Sequence, residues 1–213
     1  GSKKSLLDRV NLLFVPILNA DGHERSSAFN RPNQRGPANM GWRTNAQNLN
    51  LNRDYARLDT REIRAMVDVM NDWDADFYMD IHVTDGVDFQ YDITYNYVGK
   101  HGHSPAISSW FSKIYSPFVD KGLQAMGHIP GPFLILTNWT VLIDFTEGVI
   151  DYPAGPNFSN VYADLRHLPG LLVETHSLKP YKQRVLGTYV LLEETMKILG
   201  KESQALQEAI RTD

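Results

Sequence analysis

The chain contains no cysteine, which excludes disulfide frameworks and thiolate zinc sites. It also lacks any apolar run near the roughly 18 residues that cross a bilayer, and nothing at its start reads as a signal peptide. Basic charge is not in excess. A net charge of −4 and a pI near 6.0 argue against a phosphate-tracking surface, so no nucleic-acid partner is expected. Repeats, low-complexity tracts and linkers are missing as well. A single domain over residues 3–213 is therefore expected, with Gly1-Ser2 read as an expression scar. At 213 residues, 42% of them hydrophobic, the chain has enough material to bury a core without metal or disulfide staples.

What the chain does have is a concentration of side-chain amides and guanidinium groups. "GWRTNAQNLNLNRDY" (residues 41–55) holds four asparagines, a glutamine and two arginines, after a segment already rich in Gly, Pro and Asn. Loops of that length carry function or disorder more often than they carry nothing.

Hydrophobic patterning sets the frame around this loop. "VNLLFVPIL" (10–18) reads as a strand buried on both faces, as in parallel sheets. Residues 19 to about 57 show no apolar period. "DTRE" (59–62) has capping-box spacing with Asp59 as the cap, opening a helix to about Trp73. "FYMDIH" (77–82) is a short strand, and "DFQYDITYN" (88–96) alternates as a half-exposed one. A helix over 105–126 opens on Pro105 and should break at Pro117. Residues 132–136 and 140–145 are weaker strands, 151–160 a Gly/Pro/Asn loop, and "LPGLLVE" (168–174) a buried strand. A helix over 180–199 presents Val185, Leu186, Tyr189, Leu192, Met196 and Leu199 and is stopped by Gly200, before a short polar helix. Strands alternating with helices predict an α/β fold: a mixed, mostly parallel sheet with helices on both faces.

Three polar features fall just past the ends of predicted strands: the Asn/Arg loop, His82 and Glu174. In open α/β sheets ligands bind at that edge. Imidazole suits zinc, a carboxylate beside an activated water takes its proton, and guanidinium matches a carboxylate with paired hydrogen bonds. Blander readings stand beside these. A single His at a strand end is more often structural, Glu174 has Lys179 and Arg184 in reach along the chain, and asparagines in loops commonly bond their own backbone.

"ILNADGHE" (17–24), "WRTN" (42–45), "NLNRDY" (50–55), "MDIHVTDG" (79–86) and "LLVETHS" (171–177) follow an order that resembles the zinc carboxypeptidases of the carboxypeptidase A type. The resemblance runs from about Val10 to Leu199. It implies that His82 is a zinc ligand, with Asp80 at the position of the family's ligand-strand acid. It implies further that Glu174 is the general base and that Arg43 stabilises the oxyanion. Asn52 and Arg53 would dock the substrate's terminal carboxylate. The substrate-capping tyrosine is Tyr152 or Tyr162, and counting back from Glu174 favours Tyr152. Asp164 and Arg166 are candidates for reading a substrate side chain.

The family's first two zinc ligands come from a His-x-x-Glu motif ahead of the Asn-Pro-Asp-Gly turn. None of the seven histidines here is followed by Glu at the third position. The resemblance then implies either a piece lacking its N-terminal zinc motif or a metal-free branch; His101, His103 and His176 remain as substitute donors. The expected activity is zinc-dependent removal of a C-terminal residue in the parent protein, with weak zinc binding and no activity in this chain alone. Two alternatives stay open: a deacylase of N-acyl amino acids, of the aspartoacylase-like kind, and an inactive module that binds carboxylates or peptides. All three take a partner with a free carboxylate.

Overall fold

The structure is a computed structural model that describes residues 3–136, 146, 148–151 and 154–213. Its helices are α1 (Ala20–Glu24), α2 (Arg61–Asp72), α3 (Pro105–Trp110), α4 (Ser116–Ala125), α5 (Ser159–Asp164) and α6 (Tyr181–Thr212). Its strands are β1 (Tyr78–Val83), β2 (Ile93–Asn96), β3 (Pro130–Pro132), β4 (Ile135–Leu136), β5 (Val149–Ile150) and β6 (Gly170–Thr175). Four strands form one sheet in the order β1-β6-β2-β3, with β1 parallel to β6, β6 antiparallel to β2 and β2 parallel to β3. Strands β4 and β5 pair separately. No helix among the described residues is long and apolar enough to cross a membrane.

Side chains alternate across a strand, and that alternation builds two cores. Leu171 and Val173 of β6 join Ile93 and Tyr95 of β2 beneath α3, α4 and α6. On the opposite face Ile63, Val67 and Met70 of α2 pack with Tyr55, Ala163 and Leu168, and Tyr78 leans on them. The sheet is thus mixed, with parallel pairs in the majority and helices on both faces. The same alternation sends Asp80 and His82 to the side of Tyr78, and Glu174 to the side away from Leu171 and Val173.

Several sequence expectations change on folding. Residues 10–18 form no strand: Leu12, Phe14 and Val15 are exposed, and β1 remains an edge strand. A doubly buried strand needs neighbours on both edges and faces, and the described residues provide none for this run. The helix cap is Thr60, whose side chain accepts from Ile63 N, rather than Asp59; Glu62 turns to Asn45 Nδ2 instead of back to the cap. Of the strand expected over 88–96, only Ile93–Asn96 forms, and Ile93, Thr94 and Tyr95 are all buried. The Pro117 break appears as a wide π-type turn over Phe111–Tyr115 between α3 and α4, because proline supplies no N–H for the preceding turn. Residues 140–145 lie outside the described residues. Within 151–160, α5 begins at Ser159.

Helix α6 departs most. It runs past Gly200 to Thr212, with one kink at Glu202. Val185, Leu186 and Tyr189 face outward, while Gly187, Val190, Leu191 and Ile198 face the core. The helix carries two apolar stripes, and the one containing Gly187 packs closest. A Cβ at Gly187 would lie 3.3 Å from the ring of His128. That ring sits against the buried Asp92 carboxylate at 2.7 Å.

Candidate active site at the β1–β6 edge

Parallel pairing of β1 with β6 sets His82 opposite Glu174 and Asp80 opposite Leu172. Both polar side chains therefore stand on one face of adjacent strands. Asp80 Oδ2 lies 2.6 Å from His82 Nε2, so the imidazole is anchored through that nitrogen. Asn52 Nδ2 approaches the same nitrogen at 3.4 Å, and Asn52 Oδ1 accepts from Ser159 N at 3.2 Å, tying the loop to the start of α5. His82 Nδ1 makes no hydrogen bond among the described residues.

The cluster combines a buried Glu174 with half-buried Asp80 and His82. Burial pushes Asp80 up, but the attraction and hydrogen bond of His82 outweigh it and hold the carboxyl below its usual range. Burial pushes His82 down, and Asp80, with help from Glu174, raises it above the ordinary imidazole value. Burial pushes Glu174 up to about 7; His82 and Arg43 oppose the rise, while Asp85 and Asp80 add to it. Its Oε2 is buried with no hydrogen-bond partner among the described residues. A carboxyl with a free buried oxygen and a pKa near neutrality is suited to accept and return a proton at that pH.

The Asn/Arg loop divides into scaffold and rim. Asn19 accepts from Gly22 N and directs its Nδ2 at the carbonyls of Trp42 and Arg43. Asn45 Oδ1 accepts from Gln47 N and Leu49 N, and Asn30 Nδ2 donates to Arg25 O and Met40 O. Asp54 accepts from Asp59 N, Thr60 N and Thr60 Oγ1, closing the turn that follows Arg53. The plainer reading of loop asparagines thus applies to most of them. Asn52 is the one that reaches His82.

Arg53 lies over the Phe158 ring at 4.0 Å and donates to Asn52 O at 2.5 Å. It lies within electrostatic reach of Arg43, Asp85 and Glu174. His82, Glu174, Asn52, Arg53 and Arg43 accordingly share one rim. Tyr152 lies outside the described residues. Tyr162 is not at the rim: its ring packs 5.6 Å from that of Tyr55 in the second core.

Other candidates have structural work instead. The Asp164 carboxylate accepts from His103 N at 2.7 Å, and Arg166 donates to Asn71 Oδ1 and covers Tyr162. The His176 ring is enclosed by the backbone N–H groups of Phe89 and Leu178. Arg31 and Asp85, to which the sequence assigns no role, stand beside Arg43 in a cleft of about 340 Å³. A lone arginine in a polar loop gives no periodic signal that would have found it.

A catalytic zinc takes three protein ligands and one open position. His82 offers one imidazole, and among the described residues no group of three or more His, Asp or Glu side chains is arranged to hold a metal. Among the described residues the donor set does not make a complete zinc site.

Parallel pairing of β1 and β6 thus sets a histidine and a buried glutamate side by side, and two arginines approach them from the loop that precedes α2. The chain belongs to the zinc carboxypeptidase family, whose model matches residues 2–128. That match includes Arg43, Asn52, Arg53 and His82; Glu174 lies beyond it and enters the rim through the β1–β6 register. Among solved structures, the chain is similar to a metallo-carboxypeptidase from Pseudomonas aeruginosa in complex with (2-guanidinoethylmercapto)succinic acid. The TM-score is 0.50 at 14% identity, over 78% of this chain and 42% of that one. It is also similar to a metallo-carboxypeptidase from Burkholderia cenocepacia, with a TM-score of 0.52 at 15% identity, over 76% of this chain and 41% of that one. The chain thus spans about two fifths of the length of these solved chains. No curated protein matches it.

Proposed function

We propose that this chain forms the base and substrate-docking side of a hydrolase that removes the C-terminal residue of a peptide. Asn52 and Arg53 hold the terminal carboxylate, Arg43 faces the carbonyl of the bond to be cut, and Glu174 serves as general base. Glu174 takes a proton from the attacking water and returns it to the departing amine, which leaves the base unchanged over the cycle. The observation that carries this reading is the shared rim itself. His82 and Glu174 are in register, Asn52 is 3.4 Å from His82, and Arg53 is in reach of Glu174.

Arg43 fits its role by position and by lack of competition. Among the described residues its guanidinium forms no ion pair, so it is free to meet an oxygen on which negative charge builds. Such a donor is worth roughly a hundred- to a thousand-fold in rate. Tyr152 belongs to the same reading as a substrate-binding group. Zinc enters it as a cofactor of the whole protein, with His82 as one ligand. We expect this chain alone to bind the metal weakly and to be inactive.

Calorimetric titration with an acetylated dipeptide tests the docking claim. A free C-terminus should bind at least about tenfold more tightly than the same peptide amidated, since charge-assisted pairing is lost in the amide. Arg53→Gln should remove the difference. Equal affinity for acid and amide in the parent chain overturns the proposal.

A further inference from the structure

Beyond the rim, the cleft beside Arg43 is bordered by Asn30, Arg31, Asn33, Trp42 and Asp85. Asn33 Nδ2 donates to Asp85 O at 2.9 Å, which pins the loop bearing Arg31 to the loop after β1. Arg31 is half-buried, and among the described residues neither it nor Arg43 forms an ion pair or a side-chain hydrogen bond. Burial and the nearby Arg43 both act against the charge of Arg31, and Asp85 offsets only part of that. Two guanidinium groups thus share a cleft with one carboxylate. Arg43 is exposed, but the half-buried Arg31 is a partly desolvated cation without a partner, which is costly unless a ligand supplies the missing charge.

The order of the arginines gives the direction. Arg53 sits apart, against Phe158, whereas Arg43 shares the cleft with Arg31. A peptide whose end is held at Asn52 and Arg53 and whose scissile carbonyl meets Arg43 extends toward Arg31 with the residue before that bond. We propose that the Arg31–Arg43 cleft is a second carboxylate site that selects substrates with an acidic residue immediately before the scissile bond. It deepens the carboxypeptidase reading and rests on it. The exposed indole of Trp42 supplies an apolar wall for the methylenes of a glutamate side chain, and the guanidinium fork of Arg31 receives its carboxylate. Asp85 limits the attraction.

Titration of this chain with N-acetyl-Glu-Ala, N-acetyl-Gln-Ala and N-acetyl-Ala-Glu separates the two levels of the argument. The first peptide should bind roughly ten- to a hundred-fold more tightly than the second, the range of one charge-assisted contact. The third, with its acid after the scissile bond, should show a smaller gain. Arg31→Gln should level the Glu and Gln peptides while leaving the Gln peptide bound. Asp85→Asn, which keeps Arg31 in place, should widen the preference. If the Gln and Glu peptides bind equally in the parent chain, or Asp85→Asn narrows the gap, the second site is refuted and the docking reading survives. If the Gln peptide does not bind, or binds equally as its amide, the docking reading fails and this proposal falls with it.

Discussion

Asp80 and His82 occupy alternate positions on one edge strand, and the Asp80 carboxylate grips the imidazole through Nε2 at 2.6 Å. Carboxylate anchoring of one ring nitrogen fixes which nitrogen is left to act elsewhere. In this chain the nitrogen left over is Nδ1. The rest of the rim is built outward from that fixed ring.

Removing the anchor should be measurable without any substrate. Asp80→Asn is expected to cost about 1.5–3 kcal/mol of stability, the range for a hydrogen bond to a charged partner. It should also lower the His82 pKa, since Asp80 is what raises it against burial. Nitrogen-15 chemical shifts of the His82 ring across a pH titration check both the anchored nitrogen and the direction of change. An unchanged His82 titration in the variant contradicts the pairing.

Glu174 makes stability depend on pH. Its carboxyl is raised from an ordinary 4.5 to about 7 in the folded chain. A group that ionises less readily when folded contributes fully below pH 4.5, and that contribution is lost as pH rises through about 7. The loss is about 3 kcal/mol at most. Glu174→Gln should therefore leave acid stability unchanged and raise stability above pH 7. Chemical denaturation at pH 4, 6 and 8 reads the slope; parallel profiles for parent and variant refute the burial.

Gly22 holds the Arg43 segment by having no side chain. A Cβ there would fall 2.3 Å from Asn19 Nδ2 and 2.4 Å from Trp42 O, where Trp42 N also donates to Gly22 O at 2.7 Å. Gly22→Ala must push the segment away. We expect a loss of about 1–3 kcal/mol, as for overpacking elsewhere, together with a change in Trp42 fluorescence. A variant with parental stability and emission contradicts this close approach.

Asp54 should matter more than any single asparagine of the loop. Its carboxylate takes three hydrogen bonds, from Asp59 N, Thr60 N and Thr60 Oγ1. Burial works to raise its pKa, but those bonds hold it below the usual value. Stability from this group is present above the ordinary pKa of 3.8 and fades as pH falls below it. Asp54→Ala is expected to cost about 2 kcal/mol at pH 7. A thermal unfolding midpoint unchanged at pH 7 is the contrary result.

The parts legible in the sequence were those where a short apolar run ends in a polar residue. His82 and Glu174 are such positions, and the β1–β6 register unites them because both strands carry their polar residue at the same end. Patterning failed where burial depends on neighbours. Residues 10–18 have the composition of a core strand yet pair with nothing among the described residues, and α6 buries the stripe with the small Gly187 instead of the bulkier one at Val185 and Tyr189. Arg31 was illegible for another reason. Its significance comes from a fold that brings it beside Arg43, and no local spacing encodes that.

The most direct measurement is an NMR titration of the assigned chain with an acetylated dipeptide bearing a free C-terminus. The account predicts that the largest perturbations fall together on Arg43, Asn52, Arg53, His82 and Glu174, and that they vanish with the amidated peptide. Perturbations confined to another face, or the same pattern with the amide, would contradict it.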